Sequence, residues 1–143
     1  MGVRRFALIF GIIYLLVGVL GFVPGVTFNF GNNFGPGGGY LAQFFPVNYL
    51  HDALHAIIGI WGISVRANAL RAVSYARTIA LVFLLLGLLG LPDILGSEAI
   101  ASWLDPILPI GSLDVILHLA SAAIAAWFGF GPPARAALTA RAA

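Results

Sequence analysis

At 143 residues the chain has the length of one domain, and it is strongly apolar: 61% of residues are hydrophobic and only 8% charged, with a mean hydropathy of +1.02. A soluble domain carries about a quarter charged residues, so a polar surface is excluded and lipid is the solvent that fits. The absence of Cys excludes disulfides, thiolate catalysis and Cys-ligated metal sites; the pI is near 9.5, but the arginines form no patch interleaved with aromatics, which excludes a nucleic-acid interface.

Four apolar segments follow one another, at about residues 6–23, 47–65, 72–91 and 113–130. Each approaches the roughly 20 residues that cross a bilayer, and backbone in lipid must satisfy its own hydrogen bonds, so each is expected to be a helix. Arg4 and Arg5 ahead of the first resemble a signal-peptide n-region. The run behind them exceeds the about 7–15 residues of an h-region, and Pro24-Gly25 follows in place of a cleavage site, so a retained helix is expected. Residues 24–46 form a Gly- and Asn-rich outer loop whose Tyr40, Phe44 and Phe45 suit the membrane interface; a surface-lying loop is expected, with partner docking the sharper alternative. Pro46 opens the second segment, and Pro92-Asp93 ends the third, which carries Arg77 near its start. The outer loop 92–112 contains a short interfacial turn anchored by Trp103; Pro109 and Gly111 precede the fourth segment, and Gly131-Pro132-Pro133 closes it before a cytoplasmic tail, 131–143.

All seven basic residues are arginines, and their placement assigns a topology. Arg4 and Arg5 precede the first helix, Arg66, Arg71 and Arg77 flank the turn between the second and third, and Arg135 and Arg141 follow the fourth. The two other loops carry Asp93, Glu98 and Asp105 instead. Positive charge accumulates on the cytoplasmic side, so both termini are expected inside, in a multi-pass protein of a bacterial cytoplasmic membrane. Arg77 can snorkel to the inner interface.

The halves resemble each other. Residues 18–24 (GVLGFVP) match 87–92 (GLLGLP), Leu54-His55 matches Leu117-His118, and His51 aligns with Asp114. The expected fold is an all-α membrane four-helix bundle made from a duplicated helical hairpin, the copies related by an axis along the membrane normal. Gly11, Gly18 and Gly21 on the first helix, Gly59 and Gly62 on the second, and Gly87 and Gly90 on the third supply small faces through which membrane helices pack closely.

The polar residues within the helices are the candidates for chemistry. His55 and His118 lie at matching positions, roughly 10 Å below the outer surface at 1.5 Å per residue, where a polar side chain demands a partner. Three readings stand. Each histidine donates across the helix interface to a carbonyl, Asn48 or Ser121. Alternatively, His55 and His118 clamp haem b between the second and fourth helices. In the third reading His51, His55 and His118, with Asp52 and Asp114, form a metal or proton site; His51 and His55 have ligand spacing but lack the Glu of a metalloprotease helix. Asp52 and Asp114 near helix N-termini are expected to cap or meet water. Ser112, Asp114 and His118 share no helical face, and no phosphate loop, dinucleotide fingerprint or nucleophile elbow is present.

Residues 6–25, the stretch Phe45-Pro46-Val47-Asn48-Tyr49-Leu50-His51-Asp52-Ala53-Leu54-His55 running on to Gly59 and Gly62, and Leu117-His118 together resemble a bacterial family of small four-helix membrane proteins catalogued only as a domain of unknown function. The resemblance covers most of the chain, with the Asn-x-x-His-x-x-x-His-x-x-x-Gly pattern its most specific part. It implies a four-helix bacterial membrane protein and no activity, ligand or catalytic residue. The expected function is a non-enzymatic accessory or scaffolding subunit, packed in the lipid bilayer against its own copies or a larger membrane complex. The alternative is a haem-, metal- or small-solute-binding membrane protein using His55 and His118.

Overall fold

The computed structural model describes residues 1–28, 34–96 and 101–140. Glu98, Arg141 and residues 29–33 of the Gly- and Asn-rich loop lie outside the described residues. Four long helices carry the fold: α1 (Val3–Gly21), α2 (Tyr49–Val65), α3 (Ala69–Ile94) and, after a one-turn α4 (Ala101–Leu104), α5 (Ser112–Phe130). A short α6 (Pro132–Thr139) follows, and between α1 and α2 run the strands β1 (Thr27–Phe28), β2 (Gly39–Leu41) and β3 (Phe45–Val47).

Three segments, Val3–Gly21, Ala69–Pro92 and Ser112–Thr139, are long and apolar enough to cross a membrane. The second segment is shorter than expected, at 17 residues. Val47 is taken up by β3, and Asn48 is extended, with φ −147°, and caps the helix by accepting from the His51 N–H at 2.9 Å. The fold is mostly helical, compatible with the all-α expectation, and a small sheet is added to it. The stretch 24–46 folds in part as a three-stranded antiparallel sheet in the order β1-β2-β3, with Thr27 opposite Leu41 and Gly39 opposite Val47. β-branched and aromatic residues among glycines make short strands, and Pro46 sits on the edge strand, where its missing N–H interrupts no central ladder.

Two helix ends also depart from expectation. α3 continues through Pro92 to Ile94, because a proline in the last turn removes only one intrahelical bond. The helix then closes with Leu95 N–H donating to the Leu91 and Pro92 carbonyls. The tail forms α6, since Pro132 and Pro133 occupy its first two positions, where a missing N–H matters least.

The helices pair as two antiparallel hairpins, α1 with α2 and α3 with α5. Glycine makes the approach close. A Cβ on Gly11 would lie 2.7 Å from the Ile63 nitrogen, and one on Gly18 2.5 Å from that of Ala56. Gly59 meets Leu15 in the same way, and Gly62 meets Ala7 and Tyr75. In the second hairpin Gly87 faces Leu119 and Gly90 faces Val115. Lipid tails are as apolar as leucine, so dispersion at such contacts is what holds membrane helices together.

Aromatic rings fill the centre: Phe128 stacks on Phe6 at 4.6 Å, and Phe10 lies 5.0 Å from Phe6 and 4.5 Å from Tyr14. Residues such as Ile13, Ile57, Leu85 and Ile116 are exposed on the outward faces, as lipid-facing positions are. At one end of the bundle Arg4 Nε donates to the Arg66 carbonyl (3.0 Å) and Arg77 Nε to the Gly129 carbonyl (2.8 Å), with the Arg77 guanidinium over the Phe130 ring. Arg5, Arg71 and Arg135 are exposed at that same end. At the other end Asn48 Nδ2 donates to the Phe34 and Ile107 carbonyls, tying both loops to the start of α2.

Gly18→Leu is expected to lower stability by about 1–3 kcal/mol or more, read as a fall in melting temperature in mild detergent. Gly2→Leu, where a Cβ meets nothing within 4 Å, is expected to leave it unchanged. Equal melting temperatures for the two variants would contradict the helix contact described here.

Candidate functional site

The polar residues inside the bundle gather at the end carrying the sheet. His51 and His55 are separated by one turn of α2, whose start is fixed by the Asn48 cap, and such spacing puts both on one face. His118 comes from α5, whose start is closed by the Asp114 carboxylate accepting from the Gly111 N–H at 3.0 Å. Each of the three histidines offers one ring nitrogen, and these nitrogens all lie within 4.8 Å of one another.

Surrounding contacts orient the rings. His55 Nδ1 lies 3.0 Å from the His51 carbonyl; a carbonyl only accepts, so Nδ1 carries the hydrogen and Nε2 the lone pair. The His51 Nδ1 is buried without a partner. His118 Nδ1 is buried and unpartnered as well. The His51 and His55 rings stack at 4.6 Å, Tyr14 stacks on His55 at 5.2 Å with the rings 3° from parallel, and Phe83 stacks on His118 at 5.2 Å. Side-chain hydrogen bonds to backbone carbonyls are the usual means of presenting a histidine lone pair to a metal.

The partners expected from sequence are engaged elsewhere. Asn48 serves the α2 cap and the two loops. Ser121 pairs with the Tyr14 hydroxyl at 2.8 Å. Asp52 does not meet water: it is 1% exposed, its carboxylate lies against Gly21 on α1, and Oδ2 has no hydrogen-bond partner. The missing Cβ of Gly21 is what lets α1 close over it. Asp114 is buried too, at 7% exposure, and acts as a helix cap.

The histidines open onto a cavity of about 530 Å³ between α1 and α5, whose polar lining consists of His51, His55, Asp114, His118, Ser121 and Tyr14. Three imidazole nitrogens converging in this way suit one small ion, since tetrahedral zinc takes nitrogen ligands at about 2.0–2.1 Å and modest side-chain torsions draw the set together. A bis-histidine haem is a poorer match. Its axial nitrogens lie on opposite faces of the macrocycle, and a third nitrogen within 4.8 Å of both would fall where the macrocycle itself must be.

Tyr14 and Phe83 are the site residues that sequence reasoning missed. The signal for Tyr14 was present in Phe6, Phe10 and Tyr14, a spacing of four that aligns rings along one helix face; nothing comparable marks Phe83.

Neither curated proteins nor solved structures include a match to the chain. A family described as a domain of unknown function, DUF4383, matches residues 4–131. That range runs from the first turn of α1 past the end of α5 and takes in all three histidines, and the chain belongs to this family.

Proposed function

We propose that the chain is a metal-binding integral membrane protein that holds one divalent transition-metal ion of the zinc type on His51, His55 and His118, with a fourth position open to the cavity. The observation that carries this reading is the convergence of three ring nitrogens within 4.8 Å from two different hairpins. Charge supports it. Asp114 is buried on the same cavity lining as the histidines, while Arg4, Arg66 and Arg77 bond to carbonyls at the opposite end. An acidic group on the lining favours a cation there, since an uncompensated charge in a low-dielectric interior is strongly disfavoured.

Binding is favoured over catalysis. The Ser121 hydroxyl pairs with that of Tyr14 and not with a histidine, so among the described residues the cavity serine is not set against a base. An accessory subunit would use the outward apolar faces, but lipid covers these equally well, and the histidine triad is the more specific feature. The two hairpins are read as copies of one unit: Gly18 on Ala56 and Gly21 on Asp52 are matched by Gly87 on Leu119 and Gly90 on Val115. The arginine-bearing end is assigned to the cytoplasm of a bacterial cell by the positive-inside rule.

Zinc added to EDTA-stripped protein in mild detergent is expected to bind one per chain and to raise the melting temperature. At a hundredfold excess over Kd the stabilisation is about 2.7 kcal/mol. His51→Ala, His55→Ala and His118→Ala are each expected to weaken affinity beyond the ~10–100-fold that loss of an outer-shell partner costs. Zinc that leaves the melting curve unmoved, or binds all three variants as tightly as the parent, overturns the reading.

The orientation is tested in the naturally Cys-free chain. In intact bacteria a membrane-impermeant maleimide is expected to label Leu95→Cys and to spare Arg135→Cys until the cells are lysed. The reverse pattern would invert the topology.

A further inference from the structure

The cavity reaches well beyond the histidines, as a cleft running between α1 and α5 from Met1 at the arginine end to a roof formed by Leu41 and Phe45. These two helices stand apart, whereas each packs tightly against its own hairpin partner. The mouth is apolar and faces the bilayer: Ile9 and Ile13 on one side and Leu117 and Ile124 on the other line the cleft while remaining 47–51% exposed. Among the described residues no arginine lines it. Its volume of about 530 Å³ falls within the about 300–1,000 Å³ usual for small-ligand sites.

Polarity is confined to one region. Tyr14, itself 9% exposed, and Ser121 share a hydroxyl–hydroxyl bond at 2.8 Å. That bond uses one of the pair's two hydroxyl hydrogens and leaves the other, with spare lone pairs, for a further partner. His118, 4% exposed, lines the same region with its Nδ1 unpartnered. We propose that the cleft admits, sideways from the bilayer, one long-chain lipid with a neutral hydroxyl head, the chain lying between α1 and α5 and the head on the Tyr14–Ser121 pair. A single chain fits because two helices bound the cleft. A neutral head fits because Asp114 is the acidic side chain on the lining and no arginine or lysine lines the cleft; its one amino group, that of Met1, lies at the opposite end from the Tyr14–Ser121 pair. The head needs a hydroxyl because the pair and His118 together present both donor and acceptor capacity, which an alcohol answers on both counts. The site shares His118 with the metal reading, but its main contact, the Tyr14–Ser121 hydroxyl pair, does not depend on a bound ion.

The probe is tritiated hexadecanol, with EDTA-stripped protein on an affinity matrix in mild detergent and protein-free matrix as the blank. Saturable binding of one hexadecanol per chain is expected, displaced by unlabelled hexadecanol and at least tenfold less well by hexadecane or palmitate. Ile124→Trp, which fills the mouth, is expected to abolish binding, and Ser121→Ala to weaken it about five- to tenfold, the loss of one hydrogen bond. An unchanged melting temperature shows that each variant is folded. Absence of saturable binding, displacement by hexadecane as good as by hexadecanol, preference for palmitate, or unchanged binding by folded Ile124→Trp overturns the proposal. Because the protein is metal-free throughout, none of these results depends on the zinc titration.

Discussion

The close approach of α1 to α2 governs the rest of the architecture. In lipid no hydrophobic force drives two helices together, so proximity must come from backbones that can touch. Gly11 and Gly18 on one helix and Gly59 on the other remove the side chains that would keep them apart. With the hairpin closed, Phe6, Phe10 and Tyr14 project in register from α1, and Tyr14 is laid flat on His55. The same contact seals Asp52 under Gly21. A helix separation set by glycine thus decides which polar groups are buried and what they face.

The bundle has a strong division between its ends. The described arginines lie at one end, where Arg4 and Arg77 satisfy carbonyls left open at helix termini. The other end holds two buried carboxylates and three imidazoles, with a small sheet and the Asn48 amide closing it over. The two hairpins contribute unequally. Where the first has Asp52 against glycine the second has Val115, and where the first has His51 the second has Asp114.

Much of this was legible in the chain. Composition and segment length pointed to membrane helices, and the spacing of His51, His55 and His118 singled out the residues that the fold brings together. The sheet was not legible, because Thr27-Phe28 and Phe45-Pro46-Val47 are too short for alternation to register against a background of glycine. The fate of Asp52 was hidden for a different reason. Position near a helix start normally means solvent, and only the tertiary contact with Gly21 removes it from water. Asn48 looked like a partner for a histidine, but its side chain is consumed by capping and loop closure, both of which depend on backbone groups distant in sequence.

The histidine cluster also dates itself within the life of the molecule. Each helical hairpin makes its principal contacts within itself, so the first can close while the second is still being synthesised. His51 and His55 then wait on α2, beside a buried acid and without their third member. Only when α5 arrives, after more than fifty further residues of chain, does His118 complete the set. The cluster is therefore the last part of the site that synthesis can supply, and its formation joins the two hairpins.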